Sequence, residues 1–463
     1  MKQLLMCVLA ASLTTATAAQ EKFEQGKPNN SNYRYLDEYQ ALKDYIDYTK
    51  YPNFKLGAGT TVNDYLNQTL VKDMINKNFT ETVAGNAMKM ASCVDGNGNM
   101  NFETVKRYVN AATQAGLNVY GHTLAWHSQQ PNAWLRSLVN GKSQQERHDT
   151  LVYAMDKWIK GMMEACDGKV KAWDLVNEAI SGGGNDGQGN YELQHSEGYK
   201  SGTWDVGGDA FYWQDYMGDL EYVRQACRLA RKYGPEDIKL FINDYNLESD
   251  WDDNKKVKSL VGWIKKWEAD GVTKIDGIGT QMHISCFEND DILNSIKQHI
   301  TTMFEVMAAS GKLVRVSEMD MGYVRGNNRW GSSLKTNQLT EAEHQKMADF
   351  YEWILKEYFR LIPAEQQWGI CQWCTNDAPS NSGWRGGEPV GIWDLSNYRK
   401  HAYAGFVRGL GGKLTSGISS TKTDKPANTQ KGIYTLNGTR LQAKNIDELP
   451  HGIYIVDGKK LVK

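Results

Sequence analysis

Short apolar stretches alternate with amphipathic stretches through most of the chain. Two of the amphipathic stretches, LEYVRQACRLARKYG and KVKSLVGWIKKWEADG, have helical spacing and end at Gly234 and Gly271, a common residue after a helix. Eight strand–helix units in about 360 residues predict an α/β fold, a closed (β/α)8 TIM barrel. The eight predicted strands are FKLGAGT (54–60), NFTETVAG near 78, LNVYGHTLAW near 117, VKAWDLVNE near 170, IKLFINDYN near 238, IDGIGTQMHI near 275, KLVRVSEMD near 312 and WGICQWCTND near 368.

Polar side chains are concentrated where these predicted strands end. In a (β/α)8 barrel the chemistry lies at the carboxyl ends of the strands, so these side chains should meet on one face. Any one of them alone could be a structural polar residue, but a bland core has no use for the whole set. The set comprises His122, Asn177, Glu178, Asn243, Asp244, Gln281, His283, Glu318 and Asp320.

Two glutamates in this set, Glu178 in WDLVNEA and Glu318 in VRVSEMD, each close an apolar run. A charge at the end of a buried strand is costly unless it has a use. A pair of carboxyl groups on either side of a bond is the arrangement that glycoside hydrolysis needs. We therefore expect the two carboxyl groups to face each other across an open groove.

Composition restricts the partners. The formal net charge is −2 and the pI is about 6.5, so neither nucleic acid nor an anionic membrane is an expected partner. Beyond the first residues, no apolar run is long enough to span a bilayer. The 15 tryptophans and 24 tyrosines suit either a large core or flat sugar faces.

The two ends of the chain differ from the middle. Residues 1–19 have the pattern of a secretory signal peptide, with Lys2, an apolar stretch and small residues before the cleavage site. We predict a catalytic domain over 33–410, a polar linker over 411–430 and a short β-rich segment over 431–463. In that segment GIYTLNGTRLQ and GIYIVDGKKLVK repeat each other, each with an Asn-Gly or Asp-Gly turn typical of a hairpin.

Six cysteines are left when Cys7 is removed with the signal peptide. An exported chain permits disulfides, and buried free thiols are equally compatible with a domain of this size. Cys371 and Cys374 form a CxxC inside a predicted strand, where positions i and i+3 point to opposite faces. Neither a redox pair nor a zinc site is predicted there.

Residues from about 54 to 403 resemble glycoside hydrolase family 10, the retaining endo-β-1,4-xylanases. The resemblance rests on GHTLAWHSQ, WDLVNEA, FINDYN, IDGIGTQMH, VSEMD, Trp373, Trp384-Arg385 and GIWD, in that order. It implies hydrolysis of internal bonds of xylan or xylo-oligosaccharides with retention, and no metal or organic cofactor. We expect a monomer. The tail resembles the C-terminal sorting segments of Bacteroidetes type IX secretion, so export to the medium or the bacterial surface is expected.

The resemblance also implies residue roles. Glu178 would be the acid/base and Glu318 the nucleophile, with His283 donating to Glu318 and Asp320 orienting that histidine. Asn177 would hold the sugar 2-hydroxyl. Further substrate-binding positions implied by the family are His122, Lys89, Gln281, Trp126, Trp373 and Trp384 at the cleavage subsite, Asn86 at the next sugar on the non-reducing side, and Asn243 and Tyr245 on the leaving-group side.

Some positions need separate expectations. Glu178 needs a raised pKa, for which Trp126 and Trp173 are candidate apolar walls. His127 is expected to be structural. Gly85 stands where the family usually has a sugar-binding glutamate, so binding at that subsite should be weaker or differently selective, without loss of catalysis. The long Gly-rich loop over 181–218 is expected to shape the binding site.

Two other functions stay open. One is a β-1,4-glucanase or cellulase on a related barrel, which would differ in accepting a hydroxymethyl group at C5. The other is a non-catalytic carbohydrate-binding barrel, which would keep the tryptophans but lose a carboxylate. The presence of both Glu178 and Glu318 disfavours the second.

Overall fold

A computed structural model describes residues 31–197 and 210–412, and the segments 433–435, 440–443, 445–450, 453–456 and 459–462. The predicted signal peptide and nearly all of the predicted linker lie outside the described residues, as does 198–209 of the long loop. The chain divides into two compact units, residues 1–414 and 415–463.

The first unit is a closed parallel barrel, as predicted. Eight strands form the ring in the order β1-β2-β3-β4-β5-β6-β8-β9, and β9 pairs with β1 to close it. The ninth, β7, pairs only with the second half of β8. The strands are β1 Lys55–Thr60, β2 Glu81–Ala84, β3 Asn118–Gly121, β4 Ala172–Asn177, β5 Lys239–Asp244, β6 Gly277–Thr280, β7 His283–Phe287, β8 Leu313–Val324 and β9 Gln367–Gln372.

Helices surround the ring, and their ends follow local sequence signals. Ser143 with Glu146, and Thr340 with Glu343, form capping boxes that satisfy the first amides of the two longest helices. Short 3-10 segments occupy Ser31–Glu38, Leu42–Tyr45, Thr336–Gln338 and Ala364–Gln366. The helices are α1 Val62–Asn67, α2 Thr69–Asn78, α3 Met90–Cys93, α4 Glu103–Gln114, α5 Asn132–Val139, α6 Gln144–Cys166, α7 Gln214–Met217, α8 Glu221–Tyr233, α9 Lys255–Glu268, α10 Asp290–Ala309, α11 Glu341–Leu361 and α12 His401–Gly409.

The sixth predicted strand is interrupted. IDGIGTQMHI was expected to be continuous, but β6 ends at Thr280 and β7 begins at His283. Met282 between them has a left-handed backbone with φ 53°, which an extended strand cannot accommodate. After the break, β7 pairs with the second half of β8.

Strand β4 separates two apolar layers. Ala172 belongs to a small cluster that also contains Tyr120, Phe241 and Trp368, inside the ring, whereas Trp173 belongs to the main core between strands and helices. Alternate residues of a strand face opposite sides, so this split follows from the pleat. Trp173 therefore does not serve as a wall for Glu178, and that expectation was wrong.

The second unit contains a four-stranded antiparallel sheet. Its order is β11-β10-β12-β13, from β10 Ile433–Thr435, β11 Arg440–Leu441, β12 Ile453–Val456 and β13 Lys459–Val462. The two repeated sequence stretches each supply one strand pair, and β10 joins the pairs by pairing with β12. A 3-10 turn, Ile446–Glu448, lies between them.

Three further expectations can be compared with the described residues. The six described cysteines are free thiols, five of them buried. Among the described helices, none combines the length and apolar character that a membrane span requires.

His127 is buried, its ring stacks on Tyr212 at 5.1 Å, and burial lowers its pKa to about 3. These contacts agree with a structural role for His127.

Candidate active site

Glu178 follows the last residue of β4 and is held from both sides of its backbone. Its φ is 57°, its amide donates to Asn243 O at 2.8 Å, and its carbonyl accepts from Gln194 Nε2 at 2.8 Å. Such left-handed conformations in non-glycine residues occur mainly where the surroundings enforce them. The strand ends here, and the side chain is directed by tertiary contacts.

Three donors surround the Glu178 carboxyl group. Oε1 accepts from Asn177 Nδ2 at 3.1 Å and Gln281 Nε2 at 2.9 Å. Oε2 accepts from Trp126 Nε1 at 2.9 Å. Trp126 was expected to give Glu178 an apolar neighbour. The structure shows that its indole N–H donates a hydrogen bond to Glu178.

Glu318 lies in the middle of β8 and is also buried. Its Oε1 accepts from Asn243 Nδ2 at 2.9 Å, and its Oε2 lies 3.4 Å from His283 Nε2. Burial acts to raise the pKa of Glu318, but the His283 hydrogen bond and electrostatic interactions with His122, His283 and Lys89 lower it to about 2. The group is therefore a carboxylate at neutral pH.

The two glutamates are joined by two amide side chains. Asn243 Nδ2 donates to Glu318 Oε1 and also to Asn177 Oδ1 at 2.8 Å, and Asn177 in turn donates to Glu178. Ser317 Oγ donates to Asn243 Oδ1 at 2.6 Å and fixes which way the amide points. The chain Glu178–Asn177–Asn243–Glu318 places both carboxyl groups in one site, although they are 140 positions apart in the sequence.

His283 lies between two carboxylates. Its Nε2 faces Glu318, and its Nδ1 lies 3.1 Å from Asp320 Oδ2. Burial would lower the pKa of His283, but Asp320 and Glu318 together raise it to about 10. Trp384 Nε1 and Arg385 Nη1 each donate to Asp320 at 2.7 Å. His283 is accordingly charged and oriented, which suits it to donate to Glu318.

A second polar group lies beside the first. Lys89 Nζ donates to Asn86 Oδ1 at 3.0 Å and to Gln129 Oε1 at 2.6 Å, and lies 5.1 Å from the centre of a Trp126 ring. Burial lowers the pKa of Lys89, while Glu318 and Glu178 oppose this shift. The coupling of Lys89 to both glutamates puts it in the same site.

Two tryptophan rings lie against the histidines of the site. The Trp373 ring centre lies 5.8 Å from that of His122 and 6.5 Å from that of His283. Trp384 lies 4.6 Å from the His283 ring and is 40% exposed. The predicted tryptophans are therefore brought together with the predicted polar residues.

Asn243 and Tyr245, predicted to bind substrate on the leaving-group side, lie near the end of β5 and directly after it. Asn243 is fully buried, and its amide is used by the two neighbouring side chains described above. Tyr245 is 7% exposed, and Lys256 Nζ lies 3.5 Å from its ring centre. Asp244 between them is paired with Lys256 Nζ at 2.8 Å. The end of β5 therefore contributes Asn243 to the hydrogen bonds of the site.

The sequence interpretation did not include several residues that the structure adds. Asp174 accepts from Tyr120 Oη at 2.6 Å and lies 2.8 Å from His122 Nδ1, so it orients His122. A carboxylate inside an apolar strand was the available signal, the same one that drew attention to Glu178. For Gln129 and Gln194 there was no such signal, because both lie in loops.

The described residues contain one group that could ligate a metal, His122, Asp174 and Glu318, with atoms within 4.8 Å of one another. Each member already has hydrogen-bond partners in the site. Asp174 also accepts from Tyr120 Oη, and Glu318 accepts from Asn243 Nδ2.

Comparison with known proteins assigns this arrangement to a family. The model of "Glycosyl hydrolase family 10" matches residues 46–408. Endo-beta-1,4-xylanase Xyn10C of Cellvibrio japonicus is 29% identical over 352 residues, covering 74% of this chain and 52% of that protein. Endo-1,4-beta-xylanase C of Paenibacillus barcinonensis is 32% identical over 302 residues, covering 64% of this chain and 26% of that protein.

A solved structure agrees. Native xylanase10C from Cellvibrio japonicus superposes with a TM-score of 0.64 at 25% identity, covering 81% of this chain and 74% of that one. The chain spans about half the length of the first relative and about a quarter of the second. The match over residues 46–408 and the shared barrel show that this chain belongs to glycosyl hydrolase family 10.

Proposed function

We propose that this protein is an endo-β-1,4-xylanase that hydrolyses internal bonds of xylan with retention of anomeric configuration. The observation that carries the proposal is the hydrogen-bonded chain from Glu178 through Asn177 and Asn243 to Glu318. It supports two carboxyl groups acting on one bond, which is the requirement of the double-displacement reaction. The named activities of the xylanase relatives support the choice of xylan.

In this proposal Glu318 attacks the anomeric carbon. Its low pKa keeps it ionised, and His283, held by Asp320, stabilises the charge until attack. When the glycosyl ester forms, Glu318 loses its charge. The loss of this negative charge changes the electrostatic field at Glu178, which is linked to Glu318 through the two amides. Glu178 has by then given its proton to the leaving oxygen, so it can take a proton from water.

Glu178 protonates the leaving oxygen in the first step and acts as base in the second. Asn177, Gln281 and Trp126 hold its two oxygens in place. Asn243 takes a different role from the one expected from the sequence. We assign it to positioning Glu318 and Asn177, because its amide is buried and shared between them.

The proposed substrate-binding residues follow the same division. Asn86, Lys89, His122, Gln281, Trp373 and Trp384 would bind the sugars on the non-reducing side of the cut. Tyr245, in the loop that directly follows β5, would contribute to binding on the leaving-group side.

Initial rates on xylan and on carboxymethyl-cellulose test the substrate. We expect xylan to be cut about 100-fold faster or more. This ratio is equivalent to a difference of about 2.7 kcal/mol in activation free energy between the two substrates. Equal rates would favour the glucanase alternative. Proton NMR of the first products should show the β anomer, and an initial α product would contradict retention.

We also propose that the protein is exported as a monomer and that 431–463 serves as a sorting segment. Expression of the full chain in a Bacteroidetes host with and without the type IX machinery tests the route. Amino-terminal sequencing of the product should begin after Ala18 or Ala19. Product retained inside the cells of both hosts would contradict export.

A further inference from the structure

Exposed tryptophan in the described part of the chain is confined to one face. Trp251, Trp330 and Trp384 are 55%, 72% and 40% exposed, whereas the other described tryptophans are buried or half-buried. All three lie in loops that follow strand ends, where the two glutamates are. Exposure of large rings is costly in water, so three on the same face indicate a ligand.

Trp251 and Trp330 form a pair that the proposed reaction does not use. Trp251 is in the loop after β5 and Trp330 is in the loop after β8, yet their ring centres lie 5.8 Å apart at an angle of 49°. The pair, called here the Trp251–Trp330 platform, joins two loops whose strands are separated in the ring by β6.

Ionic and hydrogen bonds brace the platform. Arg329, next to Trp330, pairs with Asp250, next to Trp251, and Asp250 also accepts from Ser295 Oγ of α10 at 3.1 Å. Asp250 is nearly buried, although its neighbour is exposed. The rings are thus held together before any ligand arrives, which lowers the entropy cost of binding.

The position of the platform in the ring of strands indicates which end of a bound chain would lie on it. Asn86 and Lys89 follow β2, and in the eight-membered ring the strand opposite β2 is β6. The platform loops follow β5 and β8, the two strands that flank β6. A chain that lies over Asn86 and passes both glutamates therefore leaves the site over the Trp251–Trp330 platform.

From this arrangement we infer that the Trp251–Trp330 platform binds the reducing-end part of a β-1,4-xylan chain, beyond the sugars next to the cut. The inference rests on the proposed function for its polarity. Each xylose ring presents apolar C–H faces to the indoles, and the neighbouring Arg329–Asp250 pair adds no net charge, as a neutral polysaccharide requires.

Binding to xylan tests the platform apart from catalysis. The variant W251A/W330A is compared with Y153A, which removes an exposed ring (59% exposed) from α6 on the outer surface. These two variants and the parent all carry Glu318→Gln to stop turnover and are run in native gels containing soluble xylan. We expect W251A/W330A to raise the apparent Kd about tenfold, equivalent to about 1.4 kcal/mol, and Y153A to leave it unchanged.

Cleavage patterns test the direction. With Glu318 intact, xylohexaose labelled at its reducing end should be cut less often at bonds that place three or more sugars on the leaving side. Hydrolysis of an aryl xylobioside, which has no such sugars, should be unchanged. Because both tryptophans are exposed, thermal unfolding of W251A/W330A should match the parent.

Three results would overturn the inference. One is unchanged retardation together with an unchanged cleavage pattern in W251A/W330A. Another is an equal loss in Y153A. The third is a dimer in sedimentation that only W251A/W330A disperses, which would make the pair an interface between copies. Failure of the parent to cut xylan at all would instead contradict the proposed function, and retardation in the gel would still report on the platform.

Discussion

Buried carboxylates occur in the lower and the upper part of the barrel interior, and they have different partners in each. Near the strand starts, Glu81 of β2 is paired directly with Arg315 of β8, and both are essentially inaccessible. Arg315 also lies 3.8 Å from the centre of the Tyr120 ring. Near the strand ends, Glu178 and Glu318 have amide, indole and imidazole partners in place of a guanidinium.

The difference separates structural charge from chemical charge. A carboxylate in a direct ion pair with arginine has its charge neutralised, so it is a poor nucleophile and a poor base. A carboxylate held by single donors keeps its charge or its proton available, at a cost in desolvation. Substitutions at the two ends should therefore have opposite consequences, with activity lost at one and stability lost at the other.

The largest effect is expected at Glu318. Glu318→Ala should lower kcat on xylan by at least about 10⁴-fold, since no other carboxylate can form the glycosyl ester. The fold should survive, because Asn243 keeps Asn177 and His283 keeps Asp320 as partners. Steady-state kinetics and thermal unfolding measure the two quantities, and wild-type-like turnover would remove the nucleophile assignment.

Glu178→Ala should distinguish between leaving groups. On natural xylan we expect a loss of about 10²–10⁴-fold, the usual contribution of general acid catalysis. Aryl xylosides with good leaving groups need no proton and should lose far less in the first step. Parallel assays on the two substrates check this, and equal losses would argue against an acid role.

At the lower end, Arg315→Met should act on stability. It leaves Glu81 buried without its cation, which costs about 3–5 kcal/mol in the free energy of unfolding. Urea denaturation measures this loss, while kcat of the folded enzyme should stay near the parent value. The double variant Glu81→Leu/Arg315→Met is the control, and it should recover much of the stability.

Gly85 and Gly57 allow a substitution near the strand ends to be compared with one in the lower part of the barrel. A Cβ at Gly85 would contact only Thr60 O at 3.5 Å, so Gly85→Glu should fold and could add a charged hydrogen bond to a sugar hydroxyl, worth about 1.5–3 kcal/mol. The expected result is a lower KM for xylo-oligosaccharides. A Cβ at Gly57 would lie 3.1 Å from Glu81 Oε1 and 3.2 Å from Cys371 Cβ, so Gly57→Ala should destabilise without affecting KM.

The smallest effect concerns pH. His283→Gln removes the positive charge that lowers the pKa of Glu318, so the acid limb of kcat/KM should move to higher pH, with one pKa unit equal to about 1.4 kcal/mol. His283 has a folded pKa of about 10, above its ordinary 6.5. Its stabilisation is complete below pH 6.5 and is lost as the pH rises through 10.

Unfolding measured across pH checks the same group. The parent should lose stability between pH 6.5 and 10 more steeply than His283→Gln does. In the acid range the sign is reversed, because the folded pKa of Glu318, about 2, lies below its ordinary 4.5. That stabilisation is present above pH 4.5 and is lost as the pH falls toward 2, and parallel curves for parent and variant would contradict the coupling.

Much of this site could be predicted from local patterns. The strand periodicity and the polar residues at the strand ends led to the barrel, and the motifs led to Glu178 and Glu318. His283 and Asp320 were predicted as partners, and the structure places them 3.1 Å apart. The barrel and its polar face follow from patterns within single strands and from a fold whose strand ends converge, whereas the roles of His283 and Asp320 were implied by the family resemblance.

The failures concern side-chain direction and long-range partners. Trp173 was expected beside Glu178, but the pleat of β4 turns it to the helix layer. The sequence did not predict that the Asn243 amide joins two side chains, whereas its expected place on the leaving-group side stays a prediction. Spacing along the sequence cannot distinguish these cases, because the facing atoms come from other strands.

The amino-acid sequence by itself determined the strand–helix alternation, and with it the barrel and the face on which the two glutamates lie, because periodicity and strand-end polarity are local properties. Only the tertiary structure decided what each carboxylate meets. The break at Met282, the amide chain through Asn243 and the meeting of Trp251 with Trp330 all arise from contacts between distant segments. Their geometry depends on how the strands close into a ring, which no single segment encodes.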